Sequence, residues 1–182
     1  MTKIAIYPGT FDPITFGHVD LITKGLKVVD KIIVAISDAI NKECLFSVDE
    51  RMLLIKNALY KDLKFNKNKV DIISFNSLTT ALCKKYKANL ILRGLRAVSD
   101  FEYEFQLAGM NKRLNTNIET IFLMANIENQ VIGRAQRVGR TQPLHIHYLY
   151  HQNVNEHEFS QILHLRTIHS DHWRLCLENF EY

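Results

Sequence analysis

The stretch that most limits what this chain can fold into is Tyr7-Pro8-Gly9-Thr10-Phe11-Asp12-Pro13-Ile14-Thr15-Phe16-Gly17-His18. It follows a short apolar run of strand length, Ile4-Ala5-Ile6. It precedes a segment whose Val19, Leu21, Ile22, Leu26 and Val29 recur at helical spacing. A buried strand, a glycine-bearing turn and a helix start present backbone N–H groups and the positive end of a helix dipole to a phosphate. Gly9 suits a sharp turn, and Gly17 suits close approach of the backbone to a ligand. Thr10 adds a hydroxyl, and His18 adds a donor in the first helical turn. No nucleophile stands beside a base in this stretch. It is furnished to hold phosphates, not to attack them.

The same alternation continues to about residue 130. Residues 3–7 read as the first strand and 17–29 as its helix; Lys31–Ser37 is the second strand. Ser47-Val48-Asp49-Glu50 has the pattern of a capping box and opens a second helix. Val70–Phe75 is a third strand and 78–86 a third helix. Residues 90–92 form a fourth strand that ends at Arg93-Gly94, then come a helix over 100–114 and a fifth strand over 118–125. Strands separated by helices of this length predict an α/β fold, a doubly wound five-stranded parallel sheet of Rossmann-like type. Ligands of such sheets sit beyond the carboxyl ends of the strands, at the point where strand order reverses.

Beyond residue 130 the chain changes character. Residues 1–130 hold 14 Lys and 4 Arg, whereas 131–182 hold no Lys, 5 Arg, seven of the eight His and the single Trp173. We therefore divide the chain into a core over 1–132 and an atypical tail over 133–182, whose composition fits a shifted reading frame or a disordered segment. His145, His147 and His151 lack the Cys or carboxylate frame of a metal site, so no metal ligands are assigned. Cys44, Cys83 and Cys176 are odd in number and widely spaced, as expected of reduced thiols in a cytoplasmic protein. No apolar stretch reaches the roughly 20 residues of a membrane span, and the start has no leader architecture. A net charge of +4, spread along the chain, suits an anionic substrate but lacks the clustered basic patch of a nucleic-acid binder.

Two motifs carry a closer resemblance. Gly9-Thr10-Phe11-Asp12-Pro13 with Thr15-Phe16-Gly17-His18 resembles the Thr/His-x-Gly-His signature of the nucleotidyltransferase superfamily. Arg93-Gly94-Leu95-Arg96, followed by Ala97-Val98-Ser99-Asp100-Phe101-Glu102-Tyr103-Glu104, is similar to the phosphopantetheine adenylyltransferase branch. Two Arg around a Gly at a strand end also make a bidentate phosphate clamp with close backbone approach. Asp100 reads as the cap of the following helix or as a first-turn complement to its dipole. The resemblance spans about residues 2–132.

The resemblance implies adenylyl transfer from ATP to 4′-phosphopantetheine, giving dephospho-coenzyme A and pyrophosphate. It implies Thr10, His18 and Lys42 as the catalytic set. It places ATP against Thr10, Phe11, His18, Gly94, Leu95, Arg96 and Glu104, and the acceptor against Thr10, Lys42, Thr79 and Arg93. Asn129, Gln130, Val131, Ile132, Gly133, Arg134 and Ala135 join the ATP set by position only. The family there carries hydroxyl residues, where this chain has Gly133 and Arg134. Magnesium is expected to arrive on the ATP phosphates, because no carboxylate cage is visible. The resemblance further implies a homohexamer in the cytoplasm, with no nucleic-acid or membrane partner. Two other readings stand beside this one: a related cytidylyl- or nicotinate-type transferase, and an inactive binder of nucleotide or coenzyme A.

Overall fold

The computed structural model describes residues 2–38, 44–95 and 98–126. The elements are β1 (Ile4–Gly9), α1 (Phe16–Gly25), β2 (Lys31–Ser37), α2 (Val48–Lys56), β3 (Val70–Phe75), α3 (Thr79–Lys85), β4 (Leu90–Leu95), α4 (Val98–Leu114) and β5 (Glu119–Met124). A π-helical turn, Asn57–Asp62, extends α2. The five strands are all parallel, in the order β3-β2-β1-β4-β5. Strand order reverses between β1 and β4. This is the doubly wound parallel sheet expected from the alternation of apolar runs.

Continuous apolar strands are what a parallel sheet covered on both faces requires. In β2, Ile32, Val34 and Ile36 join one cluster with Leu21, Ile22, Ile55 and Leu59. Ile33 and Ala35 turn to the other, with Leu82 and Cys83. Alternate residues of each strand thus feed α1 and α2 on one face and α3 on the opposite face. The Ser47 capping box forms as expected: the Glu50 N–H donates to Ser47 Oγ at 3.3 Å, and the Ser47 N–H donates to the Glu50 carboxylate at 2.9 Å.

Several bounds move, each for a physical reason. Helix α1 stops at Gly25 rather than residue 29, because the Lys27 and Val28 N–H groups bond three residues back, to the Lys24 and Gly25 carbonyls at 3.1 and 2.9 Å, and tighten the last turn. Strand β4 does not end at Leu92. It runs on through Arg93, Gly94 and Leu95, which pair with Phe122, Leu123 and Met124 of β5. Helix α4 starts at Val98, so Asp100 stands in its first turn and not at the cap. The tail over 133–182 lies outside the described residues.

Candidate active site

The turn after β1 is held from below. Phe11 has a positive φ of 51°, and its ring is buried, edge-on to Tyr7 at 5.3 Å and to His18 at 5.0 Å. Gly9 makes room for this ring: a Cβ there would lie 2.9 Å from it. Gly9 therefore serves aromatic packing, where the sequence suggested a sharp turn. A side chain turned inward from a strained backbone position fixes the peptides around it.

His18 sits at the third position of α1, with Thr15 as its cap. The Thr15 N–H donates to His18 Nδ1 at 2.9 Å, and Thr15 Oγ1 lies 3.0 Å from the same atom. A backbone N–H can only donate, so Nδ1 is the acceptor and the neutral ring carries its proton on Nε2. The motif thus orients His18 as a donor through Nε2, at the positive end of α1.

Arg93 reaches across the switch point. Its Nε and Nη2 donate to the Glu104 carboxylate, the former at 2.7 Å, and its Nη1 donates to the Pro8 carbonyl at 3.0 Å. Glu104 of α4 is buried. The pair is a fork-to-fork contact that locks the plane of the guanidinium. Among the described residues three of its five N–H donors are engaged, which leaves two for an anion. Gly94 has a steric role: a Cβ would stand 2.3 Å from Leu21 Cδ1, so its bareness lets α1 close on β4. This steric role stands beside the close approach to ligand expected from sequence.

The structure therefore brings Thr10, Phe11, His18, Arg93, Gly94, Leu95 and Glu104 to the carboxyl ends of β1 and β4, where strand order reverses. Thr79 begins α3, after β3 on the same edge of the sheet. Lys42, Arg96, Asn129, Gln130, Val131, Ile132, Gly133, Arg134 and Ala135 lie outside the described residues. Two residues of the site went unassigned in sequence. Asp12 accepts the Leu45 and Phe46 N–H groups at 2.6 and 3.0 Å. Arg51 is buried and donates to the carbonyls of Thr10, Ser37 and Phe46. Beside Asp49 and Glu50, Arg51 looks like an ordinary surface charge, and nothing local marks it as inward.

The cytidylyltransferase-like family matches residues 6–160. A phosphopantetheine adenylyltransferase of Pelagibacter ubique is 70% identical over 133 residues, 73% of this chain and 81% of that protein. The chain belongs to the phosphopantetheine adenylyltransferase family. A second member, from Francisella philomiragia, is 52% identical over 79% of this chain and 91% of its own. A third, from Clostridium botulinum, is 51% identical over 69% and 76%.

Among solved structures, two of those that share the fold of this adenylyltransferase chain serve as examples. One is a bifunctional NMN adenylyltransferase/ADP ribose pyrophosphatase from Francisella tularensis, solved with AMP and a manganese ion. It has a TM-score of 0.51 at 19% identity and covers 72% of this chain and 41% of its own. The other is a Plasmodium falciparum nicotinic acid mononucleotide adenylyltransferase, with a TM-score of 0.51 at 21% identity, covering 68% and 64%. At such identities they speak for the fold alone.

Proposed function

We propose that this chain catalyses the reversible transfer of an adenylyl group from ATP to 4′-phosphopantetheine, forming dephospho-coenzyme A and pyrophosphate. The observation that supports it most is the Arg93–Glu104 fork anchored on Pro8, which sets an anion-binding guanidinium beside the Thr10–His18 turn. It stands in a chain 70% identical to a relative of that name. A phosphate oxygen of the acceptor forms a bond to the α-phosphorus of ATP. The opposite bond, from that phosphorus to the bridging oxygen, breaks, and its electron pair leaves with pyrophosphate. No enzyme nucleophile is needed, so rate comes from alignment and from stabilising charge on the transferring group.

In this reading Thr10 and His18 Nε2–H face the α-phosphoryl oxygens. Arg93 holds the acceptor phosphate with its two remaining donors, and Lys42 orients it. Phe11, Gly94, Leu95, Arg96, Glu104 and residues 129–135 line the ATP side, and Thr79 the pantetheine arm. Glu104 then acts on the nucleotide side while bracing Arg93. No group of three His, Cys, Asp or Glu that could hold a metal stands among the described residues. The magnesium of the reaction would ride on the ATP phosphates and neutralise their charge. No helix among the described residues is long and apolar enough to cross a membrane. We carry a cytoplasmic homohexamer with no nucleic-acid or membrane partner, and an atypical tail from residue 133, as parts of the same proposal.

The test is pyrophosphate release by the purified chain with ATP and magnesium, with 4′-phosphopantetheine, nicotinate mononucleotide or no acceptor. Release that depends on 4′-phosphopantetheine is expected. Release with the mononucleotide alone would move the chain to another branch of the superfamily.

A further inference from the structure

Arg51 is a buried cation with three acceptors, and each belongs to a different part of the site. Its Nη1 donates to the Thr10 carbonyl at 2.7 Å and to the Ser37 carbonyl, at the end of β2, at 3.0 Å. Its Nε donates to the Phe46 carbonyl, just ahead of α2, at 3.1 Å. The residue is 3% exposed, so this charge is almost fully out of water. A buried guanidinium is costly unless its donors are satisfied, and its planar fork holds its acceptors in fixed directions. Arg51 is thus a rigid bracket between the turn after β1 and the end of β2.

The bond to Thr10 has a second consequence. The peptide joining Thr10 to Phe11 is trans, so its C=O and N–H point in opposite directions. With the carbonyl held on Arg51, the Phe11 N–H points away from Arg51. No acceptor for that N–H stands among the described residues. The buried Phe11 ring and its positive φ fix the far side of the same peptide.

We propose that Arg51 is a positioning residue of the nucleotide site: by holding the Thr10 carbonyl it aims the Phe11 N–H at a phosphate oxygen of ATP. The proposal rests on the reading of this turn as the ATP phosphate site. Arg51 does not touch the nucleotide itself. It acts through the peptide.

The test compares the full chain with Arg51→Lys and Arg51→Gln. ATP affinity is measured by calorimetry, the Phe11 amide by [15N]phenylalanine spectra with and without ATP, and folding by far-ultraviolet circular dichroism. ATP should shift the Phe11 amide in the wild type. In a folded variant that shift should be lost, and the dissociation constant should rise about tenfold, as for one lost hydrogen bond to a charged group. A variant that merely folds less completely lowers the active fraction and leaves the dissociation constant unchanged. An unchanged constant with an intact Phe11 shift overturns the proposal. So does failure of both variants to fold, which would make Arg51 a stability residue only. A wild type that binds ATP but releases no pyrophosphate with 4′-phosphopantetheine defeats the assigned reaction, while the Arg51 comparison is still decided by ATP binding.

Discussion

At the scale of single residues, the site works by fixing donors before a ligand arrives. His18 gives up Nδ1 to the Thr15 N–H and so carries its proton on Nε2. His18→Ala should lower kcat by about 10²- to 10³-fold, as loss of one oriented donor does elsewhere, with ATP affinity close to wild type. Steady-state pyrophosphate release and calorimetry check this together. An unchanged kcat would remove His18 from the catalytic set. Arg93 illustrates the same economy of donors: two of its nitrogens grip Glu104, and what remains is aimed, not free to wander.

At the scale of elements, the decisive contact is α1 against β4. Gly94→Ala would push a methyl group into Leu21, which is itself buried. We expect a loss of about 1–3 kcal/mol in urea unfolding, the usual cost of overpacking. Adding Leu21→Ala should return part of it, because the two changes share one space. Additive losses would show that α1 shifts as a whole.

This contact also marks the limit of sequence reading. The turn at 7–18, the capping box at Ser47 and the order of strands and helices follow from local patterns, and all were legible. The true end of β4 was not, because Arg93-Gly94-Leu95 becomes strand only by pairing with Phe122, Leu123 and Met124, nearly thirty residues on. The inward course of Arg51 was hidden for the same reason: two of its acceptors, the Thr10 and Ser37 carbonyls, belong to other segments. Long-range pairing leaves no trace in neighbouring residues. The steric roles of Gly9 and Gly94 were not legible, because a missing side chain looks the same whether a ligand or another side chain fills the space.

At the scale of the whole molecule, stability should fall on the alkaline side. Burial pushes the Cys83 thiol from its ordinary 9.0 up to about 11, and burial with the Asp71 charge pushes Tyr60 up as well. Between pH 9 and 11 the unfolded chain has released a Cys83 proton that the folded chain keeps. That contribution is intact below pH 9 and is lost as pH rises through 11. Urea midpoints at pH 8 and at about pH 10.5 should differ accordingly; equal midpoints would contradict it.

The proposed self-association should run through the first turns of α4, where Phe101 and Phe105 are exposed and their rings stack at 5.9 Å. An apolar face of this kind marks an interaction surface. Phe105→Glu should lower the light-scattering mass from a multiple of 21.2 kDa toward a single chain. An unchanged mass would place the interface elsewhere.

The strand order has one more consequence, in time instead of space. A chain being synthesised completes β1, α1, β2, α2 and β3 before residue 90 exists. The Gly9–His18 turn is therefore made early, on the rim of a half-sheet with one edge of β1 bare. Pairing β4 with β1 closes a loop of some eighty residues, the slow kind of contact, and an unpaired strand edge meanwhile invites the wrong neighbour. The proposed catalytic site lies at the seam of that late closure. A nucleotide bound there, as proposed, would touch both the first-made and the later-made half and would favour the closed molecule by mass action.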